Sequence, residues 1–336
     1  MYLDFYGLAE PPFNATPDPK FLYLTPGHRE ALAHLVYGVR EGKGFVVLTG
    51  EVGTGKTTLL HTLLQKIGGG APVAFIFDST LPFDGMLEYM LEDFGIANAG
   101  ASRAQRLVSL NRFLIERRRQ GQHAVVIVDE AQNCSAATLE HLRLLSNFET
   151  PAGKLLQILL VGQPELSEKL ARPELRQLRQ RIAMRCVIRP LVPEETREYI
   201  RSRLSVAGAS DPRLFGDAAL ERIAGYTRGI PRLINILCDH CLLVGYAEQT
   251  RRIGRDVVER GIEYLEEGRR PARARGMFWR PARPSLSWVM GGLGAAAVLA
   301  GLTIFAAGGH GFGTAPAHLM DQLLDLARGA RDLVMR

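Results

Sequence analysis

Short apolar runs alternate with longer amphipathic stretches through roughly the first 190 residues of the chain. The runs that predict strands lie at 45–49, 73–77, 124–128, 155–161 and 185–188. The stretches that predict helices lie at about 56–67, 82–94, 103–119, 135–148 and 173–181. Continuous apolar strands separated by helices are typical of a parallel sheet that helices cover on both faces. The fold class predicted for this part is therefore α/β.

After residue 193 the pattern contains helices only. These are predicted at about 194–207, 217–227, 231–247 and 255–267. A helix-only stretch of this length predicts a small helical domain packed beside the sheet. The predicted divisions are an α/β domain at 1–192, a helical domain at 193–268, a basic Pro/Arg linker at 269–286, a transmembrane helix at 287–308 and a tail at 309–336.

The predicted transmembrane helix rests on an uncharged apolar segment. Residues 288–307 contain no charged side chain in 20 positions. A helix of that length spans about 30 Å, the thickness of a bilayer's hydrocarbon core. A buried core helix rich in Gly and Ala is the alternative, but its many glycines are more common in membrane spans. The tail after it is predicted to form a short amphipathic helix outside the cytoplasm.

The net charge of +6 is concentrated in one place. Six arginines and no acid lie between 269 and 283, and without them 35 basic residues face 35 acidic ones. The chain therefore lacks the general basic surface of a nucleic-acid-coating protein. Beside a membrane span, the cluster favours contact with anionic lipid and places the N-terminal bulk in the cytoplasm. The six are Arg269, Arg270, Arg273, Arg275, Arg280 and Arg283.

Four cysteines are too few for a disulfide scaffold in a chain of 336 residues. Cys238 and Cys241 form a lone C-x-x-C pair inside an apolar helical run. Two buried thiols on a helix are the favoured interpretation, and a metal site is the minor alternative.

The segment 50–57, GEVGTGKT, fits the pattern G-x-x-x-x-G-K-S/T and stands between a predicted strand and a predicted helix. Its glycines let backbone N–H groups wrap around phosphates at the start of the helix. Lys56 is predicted to reach the β- and γ-phosphates, and the Thr57 hydroxyl to bind Mg²⁺. The predicted nucleotide contacts are Gly50, Glu51, Val52, Gly53, Thr54, Gly55, Lys56, Thr57 and Thr58.

Two acids follow the apolar strand at 124–128. Ligands of parallel sheets bind at the carboxyl ends of the strands, where Asp129 and Glu130 are placed. Asp129 is predicted to hold Mg²⁺, and Glu130 to act as general base towards water. The alternative is an ordinary helix start with acidic residues in its first turn. Two acids rather than one favour hydrolysis over mere nucleotide binding.

Weaker signals complete the predicted site. Gln163 ends a buried strand and either orients the attacking water or touches the γ-phosphate, unless it is a simple turn residue. Among Arg176, Arg179 and Arg181, one could reach the nucleotide of a neighbouring subunit, unless they form a solvated basic face. Arg232 opposes the dipole of the helix it begins, which favours a role towards phosphate.

The motifs in combination resemble the general secretion pathway protein A/ExeA-like ATPases of the AAA+ class. The resemblance covers about residues 1–266 and rests on five segments. They are the opening MYLDFYGLAEPPFNATPDPKFLYLTPGHREALAHLVYGV, the loop GEVGTGKTT, the strand end VDEAQN, the strand LLQILLVGQPEL and the helix RQLRQRI. The resemblance implies a five-stranded nucleotide-binding domain with a C-terminal helical lid.

The resemblance also implies roles for single residues. Lys56 and Thr57 match the Walker A pair, Asp129 and Glu130 the Walker B pair, Gln163 the first sensor, Arg181 the arginine finger and Arg232 the second sensor. These roles imply ATP and Mg²⁺ as cofactors. A finger that completes a neighbour's site implies a homo-oligomeric ring.

The function expected from the resemblance is that of a membrane-anchored ATPase. It would bind and hydrolyse ATP with Mg²⁺ to power or switch assembly of a cell-envelope secretion or export system. The implied location is the inner membrane, crossed once, with the ATPase domain in the cytoplasm and a membrane protein as partner. A DNA-dependent ATPase of the transposition type is the alternative, which needs no span. A scaffold that binds ATP without hydrolysing it is disfavoured by the pair of acids.

Overall fold

The computed structural model describes residues 1–14, 18–68, 70–97, 102–151, 153–211 and 213–267. Within these ranges, no helix has both the length and the apolar surface needed to cross a membrane. The predicted linker at 269–286, span at 287–308 and tail at 309–336 all lie outside the described residues.

Five strands form one parallel sheet in the order β2-β3-β6-β1-β7, which confirms the predicted sheet. A separate two-stranded hairpin, β4-β5, was not predicted. The strands are β1 (Phe45–Gly50), β2 (Val73–Ile76), β3 (Ala124–Val128), β4 (Glu149–Thr150), β5 (Gly153–Lys154), β6 (Leu156–Gly162) and β7 (Ile182–Ile188). The three central strands β1, β3 and β6 are buried throughout, as the continuous apolar runs predict.

Helices cover both faces of the sheet. Alternate side chains of β1 enter two different cores: Phe45 and Val47 pack with α4, α5 and α6, whereas Val46 and Leu48 pack with α2 and α3. The helices are α1 (Tyr2–Tyr6), α2 (Pro26–Arg40), α3 (Lys56–Ile67), α4 (Phe83–Asp93), α5 (Arg103–Arg119), α6 (Ala136–Leu145), α7 (Pro164–Ala171), α8 (Arg176–Arg181), α9 (Pro193–Val206), α10 (Asp217–Thr227), α11 (Pro231–Ala247) and α12 (Arg255–Glu267).

Some elements differ from the pattern. No helix is predicted at 164–171, yet α7 begins there because Pro164 suits a first helical position. The helix predicted at 173–181 starts as a 3₁₀ turn, Pro173–Leu175, before α8. Strand β7 begins three residues earlier than predicted. It lies at the edge of the sheet, where Ala183, Arg185 and Val187 are exposed. Exposed and buried positions therefore alternate along β7, unlike the continuous burial of the central strands.

Helices α9 to α12 surround a separate core in the stretch where the sequence predicts the helical domain, and the division into two domains stays a prediction. The start of the chain joins that core although it precedes the sheet in sequence. We call residues 1–14 and 18–25 the strap. Its buried side chains in the helical core are Tyr6, Leu8, Phe13 and Phe21. The hydroxyl of Tyr6 donates to the carbonyl of Thr250 at 3.1 Å. The predicted boundary at residue 192 falls immediately before α9.

Candidate nucleotide-binding site

A cavity of about 400 Å³ lies where the phosphate loop (residues 50–57), the strap and the helical domain meet. Its phosphate end is lined by residues 52–58, Glu130, Pro231 and Arg232. The rest of its lining consists of Asn14, Asp18, Phe21, Leu22, Tyr23, Leu24, His28, Leu59, Leu191, Tyr199, Arg203 and Asn235. The carboxyl end of β1 opens onto this cavity, as expected for a ligand site in a parallel sheet.

Backbone geometry shapes the phosphate loop. Gly53 and Gly55 have φ of +80° and +99°, which other residues adopt only with strain. A Cβ on Gly50 would lie 2.7 Å from the carbonyl oxygen of Ile188 on β7. Gly55 gives α3 no side-chain cap, so the first N–H groups of this helix are suited to an anion.

Lys56 lies inside the loop with only 7% of its surface exposed. Its Nζ donates to the carbonyls of Gly50 at 2.8 Å and Glu51 at 3.1 Å. Burial lowers the pKa of Lys56, and the nearby carboxylates of Glu130 and Asp129 oppose that shift. The lysine is therefore held at the phosphate end of the cavity by the loop that it would serve.

A histidine braces the loop from the side of α2. The Nε2 of His28 contacts the carbonyl oxygen of Thr54 at 3.1 Å, and because a carbonyl only accepts, Nε2 donates. The Nδ1 of the same ring contacts Oγ1 of Thr25 at 2.7 Å. His28 was not predicted, since nothing local marks a histidine 26 residues before its partner.

Asp129 and Glu130 open the acid turn, by which we mean residues 129–134 after β3. The backbone N–H of Glu130 donates to Oδ1 of Asp129 at 2.9 Å, and burial raises the pKa of Asp129. Glu130 has φ +50°, a left-handed conformation that is uncommon for a non-glycine residue. The hydroxyl of Ser79 donates to the Glu130 carbonyl at 2.8 Å and supports that turn.

Two amides hold the carboxylate of Glu130. The Nε2 of Gln163 donates to Glu130 Oε2 at 3.0 Å, and the Nε2 of Gln132 donates to the same oxygen. Burial alone would raise the pKa of Glu130, but these two hydrogen bonds and the charge of Lys56 bring it below the usual value. The structure thus brings the predicted Gln163 to Glu130 and adds Gln132, which was not predicted.

Gln132 is itself held at both ends. Its Oε1 accepts the backbone N–H of Gln163 at 3.1 Å, and its carbonyl accepts from Nζ of Lys169 on α7. Lys169 also donates to the carbonyl of Cys134 at 2.7 Å. The only sequence signal for Gln132 is its position two residues after Glu130, and none marks Lys169.

The helical domain contacts the phosphate loop through the start of α11. The backbone N–H of Arg232 donates to the carbonyl of Gly53 at 3.2 Å. A Cβ on Gly53 would lie 2.7 Å from the Cβ of Arg232, so this approach requires glycine. The structure therefore brings the predicted Arg232 to the phosphate end of the cavity.

The three candidate finger arginines lie outside this cavity's lining. Arg181 donates from one terminal nitrogen to Ser146 Oγ at 2.7 Å and Asn147 Oδ1 at 2.6 Å, after the end of α6. Arg179 donates to the carbonyl of Ala171 at 3.1 Å, and Arg176 is exposed. The choice of Arg181 as the finger towards another subunit stays a prediction.

A polar chain lines the end of the cavity away from the phosphates. Arg203, 7% exposed, donates to the hydroxyl of Tyr199 at 2.9 Å, and Tyr199 donates to Oδ1 of Asn235 at 2.9 Å. The Arg203 guanidinium also lies 4.8 Å from the ring centroid of Phe21 in the strap. Rings and polar groups of this kind suit a nucleoside. The sequence did not predict them because they come from distant segments.

Thr57 and Asp129, the residues predicted to bind Mg²⁺, carry donor atoms of the kind that fit this ion. Thr57 is exposed in the first turn of α3, and Asp129 stands at the end of β3 with Oδ1 oriented by a backbone N–H. A hydroxyl and a carboxylate are hard oxygen donors of the kind that Mg²⁺ takes beside phosphate.

The cysteines are structural. Cys238 and Cys241 lie on α11, and both are fully buried, as predicted. Burial raises the pKa of each thiol.

Residues 39–170 match the family model described as an AAA domain. The matched stretch contains the phosphate loop, the acid turn and Gln163. The chain carries an AAA ATPase domain. A domain of this family binds nucleotide, in agreement with the cavity beside its phosphate loop.

The chain is similar to general secretion pathway protein A of Aeromonas hydrophila. The two proteins are 44% identical over 254 residues, which are 75% of this chain and 46% of that protein. The predicted resemblance is thereby confirmed. The chain spans about half the length of this curated relative.

Solved structures share the fold over about three quarters of this chain at low sequence identity. Cdc6p from Pyrobaculum aerophilum is 19% identical with a TM-score of 0.55, over 74% of this chain and 71% of that one. The ORC2 protein of Aeropyrum pernix is 18% identical with a TM-score of 0.54, over 74% and 72%. The RuvB branch migration motor of Thermotoga maritima is 21% identical with a TM-score of 0.50, over 74% of each chain. These likenesses concern the fold alone.

Proposed function

We propose that this chain is a membrane-anchored AAA ATPase that hydrolyses ATP with Mg²⁺ to power or switch assembly of a cell-envelope secretion system. The observation that carries the proposal is its 44% identity over 254 residues with a protein named for the general secretion pathway. The meeting of Lys56, Glu130 and Arg232 at one cavity supports it, because these groups suit a phosphate chain and its hydrolysis.

The residues divide the chemical work at the phosphate end. The backbone N–H groups of the phosphate loop and Lys56 bind the phosphates, and Thr57 with Asp129 holds Mg²⁺. When bound, Mg²⁺ neutralises phosphate charge. Glu130 accepts a proton from the attacking water. Its Oε2 is occupied by the amides of Gln132 and Gln163, and its Oε1 accepts from neither.

Two arginines connect this site with the helical domain and with a neighbouring subunit. Arg232 links the position of the helical domain to the presence of phosphate, since its helix already contacts Gly53. Arg181 of one subunit completes the site of the next in a homo-oligomeric ring.

The chain is anchored in the inner membrane with the ATPase domain in the cytoplasm. Its basic linker at 269–286 contacts anionic lipid, and a membrane protein of the secretion system is its partner.

The first test is ATP hydrolysis by the purified full chain in detergent, measured over a range of protein concentrations with and without duplex DNA. Hydrolysis per subunit should rise with concentration, ignore DNA, and be lost in Glu130→Gln. Strong stimulation by duplex DNA would contradict the proposal and favour a DNA-dependent ATPase of the transposition type.

A test in cells addresses the secretion part. Lys56→Ala should block assembly of the export apparatus while the protein still reaches the membrane fraction. Normal assembly with this variant would show that the ATPase does not drive that process.

A further inference from the structure

We infer that Gln132 is a positioning residue for Glu130, which holds the carboxylate in the orientation needed to accept a proton from water. The inference rests on the proposed role of Glu130 as general base. It goes beyond that role because it adds a residue that affects the reaction by holding Glu130.

The geometry of the acid turn carries the inference. Glu130 Oε2 receives the side-chain amides of both Gln132 and Gln163, and the second of these distances is 3.0 Å. Two donors that bind one oxygen fix the orientation of the carboxylate group. A single donor would leave the carboxylate free to rotate about that one hydrogen bond. The other oxygen, Oε1, is thereby kept in one place.

Gln132 also ties the two strand ends together. Its Oε1 accepts the backbone N–H of Gln163 at 3.1 Å, so one amide bridges the end of β6 and the carboxylate that follows β3. Its own backbone is supported by Lys169. Because donor, acceptor and backbone of Gln132 are all engaged, its side chain has little freedom to release Glu130.

Gly162 makes room for this bridge. A Cβ at position 162 would lie 2.5 Å from Oε1 of Gln132, closer than any real contact allows. Gly162 does not have the positive φ that would require glycine for the backbone itself. The absence of a side chain at the end of β6 therefore matters for the position of the Gln132 amide.

The test compares the full chain in detergent with Gln132→Ala and Gln132→Glu, using steady-state hydrolysis and binding of a non-hydrolysable ATP analogue. Gln132→Glu keeps the size and the acceptor towards Gln163, loses the donor to Glu130 and places a second carboxylate beside it, whereas Gln132→Ala removes the donor without adding charge. If Gln132 positions Glu130, both variants should lower kcat by about 10- to 100-fold, with KM and analogue affinity within about twofold.

Gln120→Ala is the matched control. The Gln120 amide also donates to a carboxylate, that of Glu116 at 3.0 Å, but on the exposed surface of α5. This variant should hydrolyse ATP at the wild-type rate. Analogue binding shows for every variant that the site is folded.

Two results would overturn the inference. An unchanged kcat in Gln132→Glu would show that the shape of residue 132, and not its hydrogen bond to Glu130, is what matters. A change in KM with kcat unchanged would assign Gln132 to nucleotide binding. The role of Glu130 is judged separately by Glu130→Gln. If that variant is inactive while both Gln132 variants are normal, only the positioning role fails, whereas an active Glu130→Gln removes the proposed base itself.

Discussion

The two halves of the phosphate end hold their functional groups by different means. In the phosphate loop, Lys56 is held by two backbone carbonyls, and the path of the loop depends on Gly53 and Gly55. In the acid turn, Glu130 is held by two side-chain amides that reach it from different elements. The position of Lys56 therefore depends on one continuous segment of the chain. The position of Glu130 depends on residues that only the folded sheet brings together.

This difference predicts which substitutions the phosphate loop and the acid turn each tolerate. A loop held by backbone groups resists most side-chain changes but not the loss of a glycine or of Lys56. A carboxylate held by side chains is sensitive to residues that never touch the nucleotide. The following variants separate these two kinds of dependence.

The largest effect should come from Lys56→Met, which removes the positive charge of the phosphate loop. We expect kcat/KM to fall by about 10²- to 10³-fold, the usual loss for a group that stabilises developing charge. Lys66→Met, in the exposed last turn of the same helix, is the control and should be silent. Comparable losses in both variants would mean that helix stability, not phosphate contact, is being measured.

Gly53→Ala should be the next largest because it damages the loop's backbone and its contact with α11 together. The left-handed backbone costs about 1–2 kcal/mol in an L-residue, and the approach of Arg232 to 2.7 Å adds to that cost. Urea unfolding measures the sum. Gly121→Ala, at φ +75° with no atom within 4 Å of its Cβ, carries only the backbone cost. Equal losses would show that the contact with the helical domain costs nothing.

Gly162→Ala should have a smaller effect that appears in catalysis. The added methyl group displaces the Gln132 amide, so kcat should fall about tenfold while binding of the ATP analogue is unchanged. In a Gln132→Ala background the same substitution should have little further effect, since the atom it meets is gone. A full additional tenfold loss there would assign the effect to Leu166, the other neighbour of that position.

The smallest effect concerns the thiol in the acid turn. Burial raises the pKa of Cys134 to about 11, so at pH 8 only about one thiol in a thousand is the reactive thiolate. Because deprotonation increases with pH, labelling by iodoacetamide should be slow at pH 8 and faster at pH 10. Lys169→Met removes a positive charge that lowers the pKa of Cys134, which by itself would slow labelling, so faster labelling at fixed pH is expected only because loss of the clamp opens the turn. Rapid labelling of the wild-type thiol at pH 8 would contradict the closed turn.

The parts that could be predicted from the sequence are those whose determinants are contiguous. The phosphate loop is eight successive residues between a strand and a helix, so its position and the roles of its glycines follow from the pattern alone. Asp129 and Glu130 follow one apolar strand, and their place at the sheet edge follows from parallel pairing. The five apolar runs form the strands of the sheet for the same local reason.

The parts that could not be predicted need two distant segments to meet. Gln132 and Lys169 contact each other only when α7 packs beside the acid turn. The sequence did not predict α7, which is short and contains several polar residues. His28 contacts a loop 26 residues away. The aromatic and polar wall at the far end combines the strap with α9 and α11, which no periodicity connects.

The strap's place in the helical core has a consequence for the order of events during synthesis. Tyr6 and its partner Thr250 are separated by 244 residues of chain. At a ribosomal rate of about 5–20 residues per second, roughly 10–50 s pass between the appearance of the two. For most of that interval the helical core that buries the strap is absent or incomplete, while the whole sheet is made and can fold. The strap is therefore translated before the sheet but fully buried only after it, and the far wall of the cavity is completed only when α11 has been made.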